Sequence, residues 1–208
     1  MSIAHHPSLE SLLDVAAGRL ERGPALVLGA HLQVCSACRA EAERLEAVGG
    51  ALLETLPPAA MDADALARAL ARIESSAPLQ AARAEANLPA ALAGVALGPR
   101  RWLGPGLSMR RIEPAASSRY NTYLLRSAPG RRLPRHGHAG VEYVCVLKGA
   151  FTDETGRYGP GDFACGDEGL VHAPRAEPGE DCLCLISTEG RLQIRGLISR
   201  ALQPLAGV

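Results

Sequence analysis

Gly130-Arg131-Arg132-Leu133-Pro134-Arg135-His136-Gly137-His138-Ala139-Gly140-Val141-Glu142-Tyr143-Val144-Cys145-Val146-Leu147-Lys148-Gly149 combines two histidines, a glutamate and an apolar run between glycines. His136 and His138 stand two apart, so on an extended segment both project to one face. Glu142 lies a further even number of residues along and joins that face if a turn or bulge carries the ladder on. The run from Val141 to Leu147 is rich in β-branched and aromatic residues and stops at Lys148-Gly149, which reads as a strand.

A second piece follows downstream. Gly161, Asp167, Gly169 and His172 have the spacing Gly-x5-Asp-x-Gly-x2-His, which brings a further histidine from a neighbouring strand. Three histidines and one glutamate pointing into a barrel offer a nitrogen and oxygen site for zinc or another divalent transition metal. Period-two apolar patterns recur at Tyr120–Leu125, after the turn Tyr158–Phe163, at Cys182–Ser187 and at Leu192–Leu197. Many short strands with Gly/Pro turns predict a β-sandwich or barrel over residues 101–200, with 201–208 as a tail. Cys145 and Cys165 are expected in its core, and Trp102, Tyr120 and Tyr143 in the core or at its rim.

Upstream the pattern is helical. Leu9, Leu12, Leu13, Ala16 and Leu20 form a stripe behind the candidate cap Ser8, predicting a helix over 8–22 broken by Gly23-Pro24. A second helix is expected from Pro24, a third over 37–53 and a fourth over 62–74 with Asp62 or Asp64 as cap. The composition then turns Ala-, Pro- and Ser-rich. We therefore divide the chain into a helical unit (1–80), a linker (81–100) and the strand domain.

Within the helical unit sits His31-x3-Cys35-x2-Cys38. If the chain is helical up to Cys35, His31 and Cys35 share a face one turn apart, and Cys38 turns its sulfur to the same point. Such a set suits a tetrahedral structural Zn²⁺ whose fourth ligand comes from elsewhere, with His5 and His6 as candidates. A redox Cys-x-x-Cys calls for a preceding strand, which the pattern lacks. A structural ion also explains how four short helices hold together. Their apolar stripes either pack on one another or leave a docking surface for a partner.

The 208 residues carry 22 basic and 22 acidic side chains, a balance without the electrostatic footprint of a nucleic-acid binder or of an anionic membrane surface. No apolar run approaches the roughly 20 residues needed to cross a bilayer, and the first residues lack a signal-peptide pattern. We expect a cytoplasmic protein whose six cysteines are ligands, core residues or redox sensors rather than disulfides.

The stretch from Gly130 to Gly149 is similar to the first cupin motif at every signature position. The segment from Gly161 resembles the second at Gly161, Gly169 and His172, with Asp167 in place of the usual proline and Ala176 in place of the usual asparagine. The resemblance implies a jelly-roll-like β-barrel with His136, His138, Glu142 and His172 as metal ligands. Joined to a helical His-x3-Cys-x2-Cys unit, it resembles the ChrR family of zinc-dependent anti-sigma factors over essentially the whole chain. The matching segments include His5-His6, Asp153-Glu154-Thr155 and Asp181–Leu185. That likeness implies α and β elements in two domains and a zinc site of His6, His31, Cys35 and Cys38. It implies as partner an extracytoplasmic-function sigma factor, withheld from core RNA polymerase and released on singlet oxygen or related oxidants. It implies a regulator rather than an enzyme.

Cys182 and Cys184 lie two apart on a predicted strand and face the same way. They are either an oxidant-sensitive pair or two small buried hydrophobes. A different class of function is a cupin metalloenzyme, a dioxygenase or isomerase, since a three-His, one-Glu site can activate oxygen or polarise a carbonyl. Against it, no separate acid–base or substrate-orienting constellation stands out. A third reading is a zinc or ligand sensor with another partner.

Overall fold

The computed structural model describes residues 3–75, 88, 92–112, 118–190 and 192–194. Among the described residues four helices precede twelve strands; the helices are α1 (Leu9–Ala16), α2 (Arg22–Val34), α3 (Ser36–Glu54) and α4 (Ala65–Ser75). The Ser8 Oγ accepts the Ser11 N–H at 3.2 Å, so the expected cap holds. The first helix is shorter than expected. It ends at Ala16, and Gly18 takes φ +64°. Gly23 and Pro24 do not end α1, but Pro24 lies in the first turn of α2 as expected, where the absent proline N–H has no helical partner to lose.

The strands are β1 (Arg101–Gly104), β2 (Leu107–Arg111), β3 (Tyr120–Ser127), β4 (His136–Gly137), β5 (Glu142–Lys148), β6 (Phe151–Asp153), β7 (Gly156–Tyr158), β8 (Phe163–Gly166), β9 (Val171–His172), β10 (Arg175–Ala176), β11 (Cys182–Glu189) and β12 (Gln193–Ile194). A six-stranded antiparallel sheet runs β1-β2-β3-β11-β5-β8. Two three-stranded sheets, β10-β6-β7 and β12-β4-β9, form the other layer. Phe151, Tyr158 and Ala176 from one small sheet pack on Met109, Tyr123 and Val144 of the large one. This is the expected jelly-roll-like barrel.

Alternation along β5 and β11 gives the large sheet two buried faces. Val144, Val146, Cys184 and Ile186 point into the barrel. Cys145 and Leu185 point the other way, onto Val27 and Leu28 of α2, which are fully buried. The helix lies so close that a Cβ on Gly23 would fall 2.3 Å from Thr122 Oγ1 and 2.6 Å from Ser187 Oγ. Helix α2 thus belongs to the barrel's packing as much as to the helical unit. On its other side α1 packs on α3 around Leu12, Cys35 and Cys38.

Three further expectations change. Trp102 is 64% exposed on the edge strand β1, where no neighbouring strand covers it. Cys165 is exposed on β8, at the other edge of the same sheet. Strands β4, β6, β7, β9, β10 and β12, of two or three residues each, have too few residues to display a period. Of the strand expected over 192–197, residues 193–194 form β12; 195–197, the tail 201–208 and most of the linker lie outside the described residues. Among the described residues no helix is long and apolar enough to cross a membrane.

Candidate metal centres

Two groups of side chains converge. In the first, one ligand atom from each of His6, His31, Cys35 and Cys38 lies within 4.8 Å of the others. Helix α2 ends at Val34, and Cys35 adopts an extended conformation (φ −101°, ψ 99°) that joins α2 to α3 and swings Cys38 round beside it. His6 Nδ1 stands 3.4 Å from Cys35 Sγ and 3.3 Å from Cys38 Sγ. A tetrahedral ion with bonds of about 2.0 to 2.3 Å calls for ligand atoms about 3.5 Å apart, so the spacing fits. His5 is turned away: its ring lies 4.3 Å from that of Tyr158, tilted by 36°.

The His31 ring is fully buried, and its Nδ1–H donates to the Gly161 carbonyl at 2.7 Å. A carbonyl can only accept, so the proton is on Nδ1 and the lone pair on Nε2. Among the described residues that buried Nε2 has no hydrogen-bond partner. Burial holds His31 below the usual histidine range, and burial with the neighbouring Cys35 pushes the Cys38 thiol up to about 12. A neutral imidazole with an orphaned lone pair beside two crowded thiols is a donor set suited to a cation.

The second group, His136, His138, Glu142 and His172, is buried throughout, again with one ligand atom from each within 4.8 Å of the others. Strand β4 pairs His136 directly with His172 of β9. The turn after β4 returns the chain so that Glu142 opens β5, which is how the even spacing is realised. The Nε2 atoms of His136 and His138 lie 3.1 Å and 3.2 Å from that of His172, and Glu142 Oε2 lies 3.7 Å from His138 Nε2. His136 Nδ1–H donates to the Pro134 carbonyl at 2.8 Å, and His172 Nδ1–H to Asp153 Oδ2 at 2.7 Å. Both Nε2 atoms then present lone pairs to one another, an arrangement that repels unless a cation lies between them.

Charge follows burial here. Burial, with the adjacent His136 and His172, lowers His138 to about 4, and burial raises Glu142 to about 7. Asp153 behaves differently. Burial opposes its ionisation, but hydrogen bonds from His172 and Thr155 outweigh it and hold the carboxyl at about 2. A carboxylate on the outer nitrogen of a ligating histidine fixes its tautomer and ring plane. The adjacent Glu154 accepts the Ala173 N–H at 2.9 Å and pairs with Arg135 at 2.6 Å, tying together the segments that carry His172 and His136. Spacing gave no sign of these roles, because Asp153 lies nineteen residues from His172.

Cys182 and Cys184 share the inner face of β11, buried and free, with sulfurs 3.7 Å apart. The Cys182 thiol at its side, with burial, pushes the Cys184 thiol well up. Cys145 is core, as expected.

The family model described as the ChrR cupin-like domain matches residues 97–191. The anti-sigma-E factor ChrR of Cereibacter sphaeroides is 39% identical over 209 aligned residues, covering 98% of each chain. The crystal structure of Rhodobacter sphaeroides SigE in complex with the anti-sigma ChrR is similar with a TM-score of 0.76 and 36% identity. The match covers 90% of this chain and 100% of that one.

Proposed function

The chain belongs to the ChrR family of anti-sigma factors, and from that premise we propose that it withholds an extracytoplasmic-function sigma factor from core RNA polymerase and releases it on singlet oxygen or related oxidants. It is a regulator of transcription in the cytoplasm, not an enzyme. Residues 1–80 are the sigma-binding part, 81–100 the linker and 101–200 the sensing part. His6, His31, Cys35 and Cys38 hold Zn²⁺ in the first; His136, His138, Glu142 and His172 hold Zn²⁺ or another divalent transition metal in the second. The ions supply cross-linking of segments that the helical unit's small core leaves weakly joined. Cys182 and Cys184 are the candidate oxidant-sensitive pair inside the barrel.

The observation that supports partner binding most directly is α4. Leu66, Leu70 and Ile73 repeat on one helical face, yet they are 51% to 70% exposed and the helix has no buried residue. Such an amphipathic helix gains stability from a surface that covers its stripe. Leu52, Leu53 and Leu56 at the end of α3 are exposed as well. A double Leu66→Ser, Leu70→Ser change removes two side chains worth about 1.5–3 kcal/mol each when buried. Co-expression with the candidate sigma factor, pull-down and metal counting should give a stoichiometric complex and about two metals per wild-type chain. The double variant should bind at least tenfold more weakly at unchanged thermal stability. Cys35→Ala or Cys38→Ala should lose the complex together with one metal. A full-strength complex from a chain lacking that metal would sink the role assigned to the His/Cys site.

A further inference from the structure

Two ligands of the helical centre from separate segments, His6 and His31, are both held by one turn of the barrel. That turn joins β7 to β8 through Gly159-Pro160-Gly161-Asp162. Gly161 presents the carbonyl that accepts the His31 Nδ1–H. The next side chain, Asp162, is 5% exposed and devoted to the segment just before His6. Its Oδ1 accepts the Ala4 N–H at 2.7 Å and the His5 N–H at 3.0 Å; its Oδ2 accepts the Gly159 N–H at 2.7 Å and lies 3.5 Å from His5 Nδ1. The Phe163 N–H completes the clamp by donating to the His5 carbonyl at 3.1 Å.

The turn is itself rigid. The Gly161 N–H donates to the Val146 carbonyl at 2.8 Å, and the Val146 N–H donates back to the Asp162 carbonyl at 3.1 Å. Gly161 has φ +87°, and a Cβ there would come within 2.9 Å of Ile3 and 3.2 Å of Val34. Only glycine lets the N-terminal segment and the end of α2 approach this turn together. The ladder that anchors the turn also reaches the second centre, because β5 opens with Glu142, which pairs with Gly166 at the far end of β8.

A segment outside helix and strand, such as residues 3–8, is ordered only by what ties it down. His6 sits on such a segment and is the one exposed member of its group. A ligand that must be ordered at the moment of binding loses affinity to the entropy of ordering. We propose that Asp162 is a positioning residue for the helical metal centre: its carboxylate pins the Ala4–His5 backbone so that His6 stands over Cys35 and Cys38, while the neighbouring Gly161 carbonyl orients His31. The inference rests on the reading of His6, His31, Cys35 and Cys38 as a ligand set. It makes the barrel a contributor to the helical centre's grip on its ion.

The test uses the full chain loaded with Co²⁺. Thiolate-to-cobalt charge transfer arises only where sulfur ligates, so this band reports the His/Cys centre and ignores the His3Glu one. On addition of excess EDTA the band should decay about tenfold faster or more in Asp162→Asn than in wild type. The second variant, Ala4→Pro, removes a donor to the same carboxylate from the exposed side of the contact and should show the same direction. It carries the test alone if the barrel variant does not fold. Ala4→Pro should show the faster decay at a urea midpoint close to wild type, and in Asp162→Asn the faster decay should exceed what its lower midpoint accounts for. Wild-type decay rates in the variants, or fast decay only where the whole chain is destabilised in proportion, would overturn the positioning role while leaving the ligand set intact. A wild-type chain without the band would overturn the ligand set and this inference together.

Discussion

His31 and His172 use the same device in the two centres. Each gives its Nδ1 proton to an oxygen, the Gly161 carbonyl or the Asp153 carboxylate, and turns a bare Nε2 into a cluster of other donors. Asp153→Asn retains the shape but loses the charge that holds His172. We expect a 10- to 100-fold loss of metal affinity at the barrel centre, with the helical centre unchanged, in chelator competition against Co²⁺. Asp162 leads to a pH prediction. Burial opposes its ionisation, but the N–H bonds from Gly159, His5 and Ala4 outweigh it and keep its carboxyl below the usual range. A depressed folded pKa stabilises above the unfolded value of about 4 and loses that contribution as pH falls through the folded value. Urea midpoints of Asp162→Asn should therefore fall less steeply than wild type as pH drops below about 4. At this scale the ligands were legible and their supports were not. His31, Cys35 and Cys38 are neighbours through local geometry, and His136 and His138 likewise. Asp153 and Asp162 reach their targets only across chain separations of nineteen and more than a hundred and fifty residues.

Among the elements, α2 departs furthest from its reading as part of a small separate helical unit. From Gly23 to Ala30 it has no charged residue. A helix apolar on all sides is covered on all sides. Its neighbours are α3 on one flank and strands β3, β5 and β11 on the other. The pattern was visible, but it names no partner, since any apolar surface would satisfy it. Gly23 records how close the sheet comes. Gly23→Ala would drive a methyl group against the Thr122 and Ser187 hydroxyls. It should destabilise the chain by about 1–3 kcal/mol, read by urea unfolding, although it touches neither metal centre. The first helix shows the converse limit. Its stripe continues in register as far as Leu20, but Gly18 in the left-handed region ends it early. Periodicity reports which face is apolar and is blind to a backbone that has already turned.

For the molecule as a whole, the large sheet separates the barrel interior from α2, with β5 and β11 contributing side chains to both. The barrel site proposed to sense and the helical surface proposed to bind are therefore joined by one sheet and one turn. His172→Ala should leave sigma binding within a few-fold of wild type, because His172 is buried among the barrel side chains while the exposed apolar stripes lie on α3 and α4, but should blunt oxidant-triggered release. Release from the pre-formed complex, followed by size exclusion after singlet-oxygen exposure, checks this; normal release with an empty barrel centre would exclude the sensing role. Fold class and kinship were readable from the chain, as were the parts of the two candidate ligand groups that lie close together in sequence, His31-Cys35-Cys38 and His136-His138-Glu142, where helix and strand geometry dictate which side chains meet. His6 was named ahead of His5 only by the family likeness. The seating of α2 on the sheet, the capture of His6 by the turn at Asp162 and the support of His172 by Asp153 were decided by packing. Such contacts depend on which distant surfaces are buried together, and burial is settled by the assembled chain, not by any local spacing.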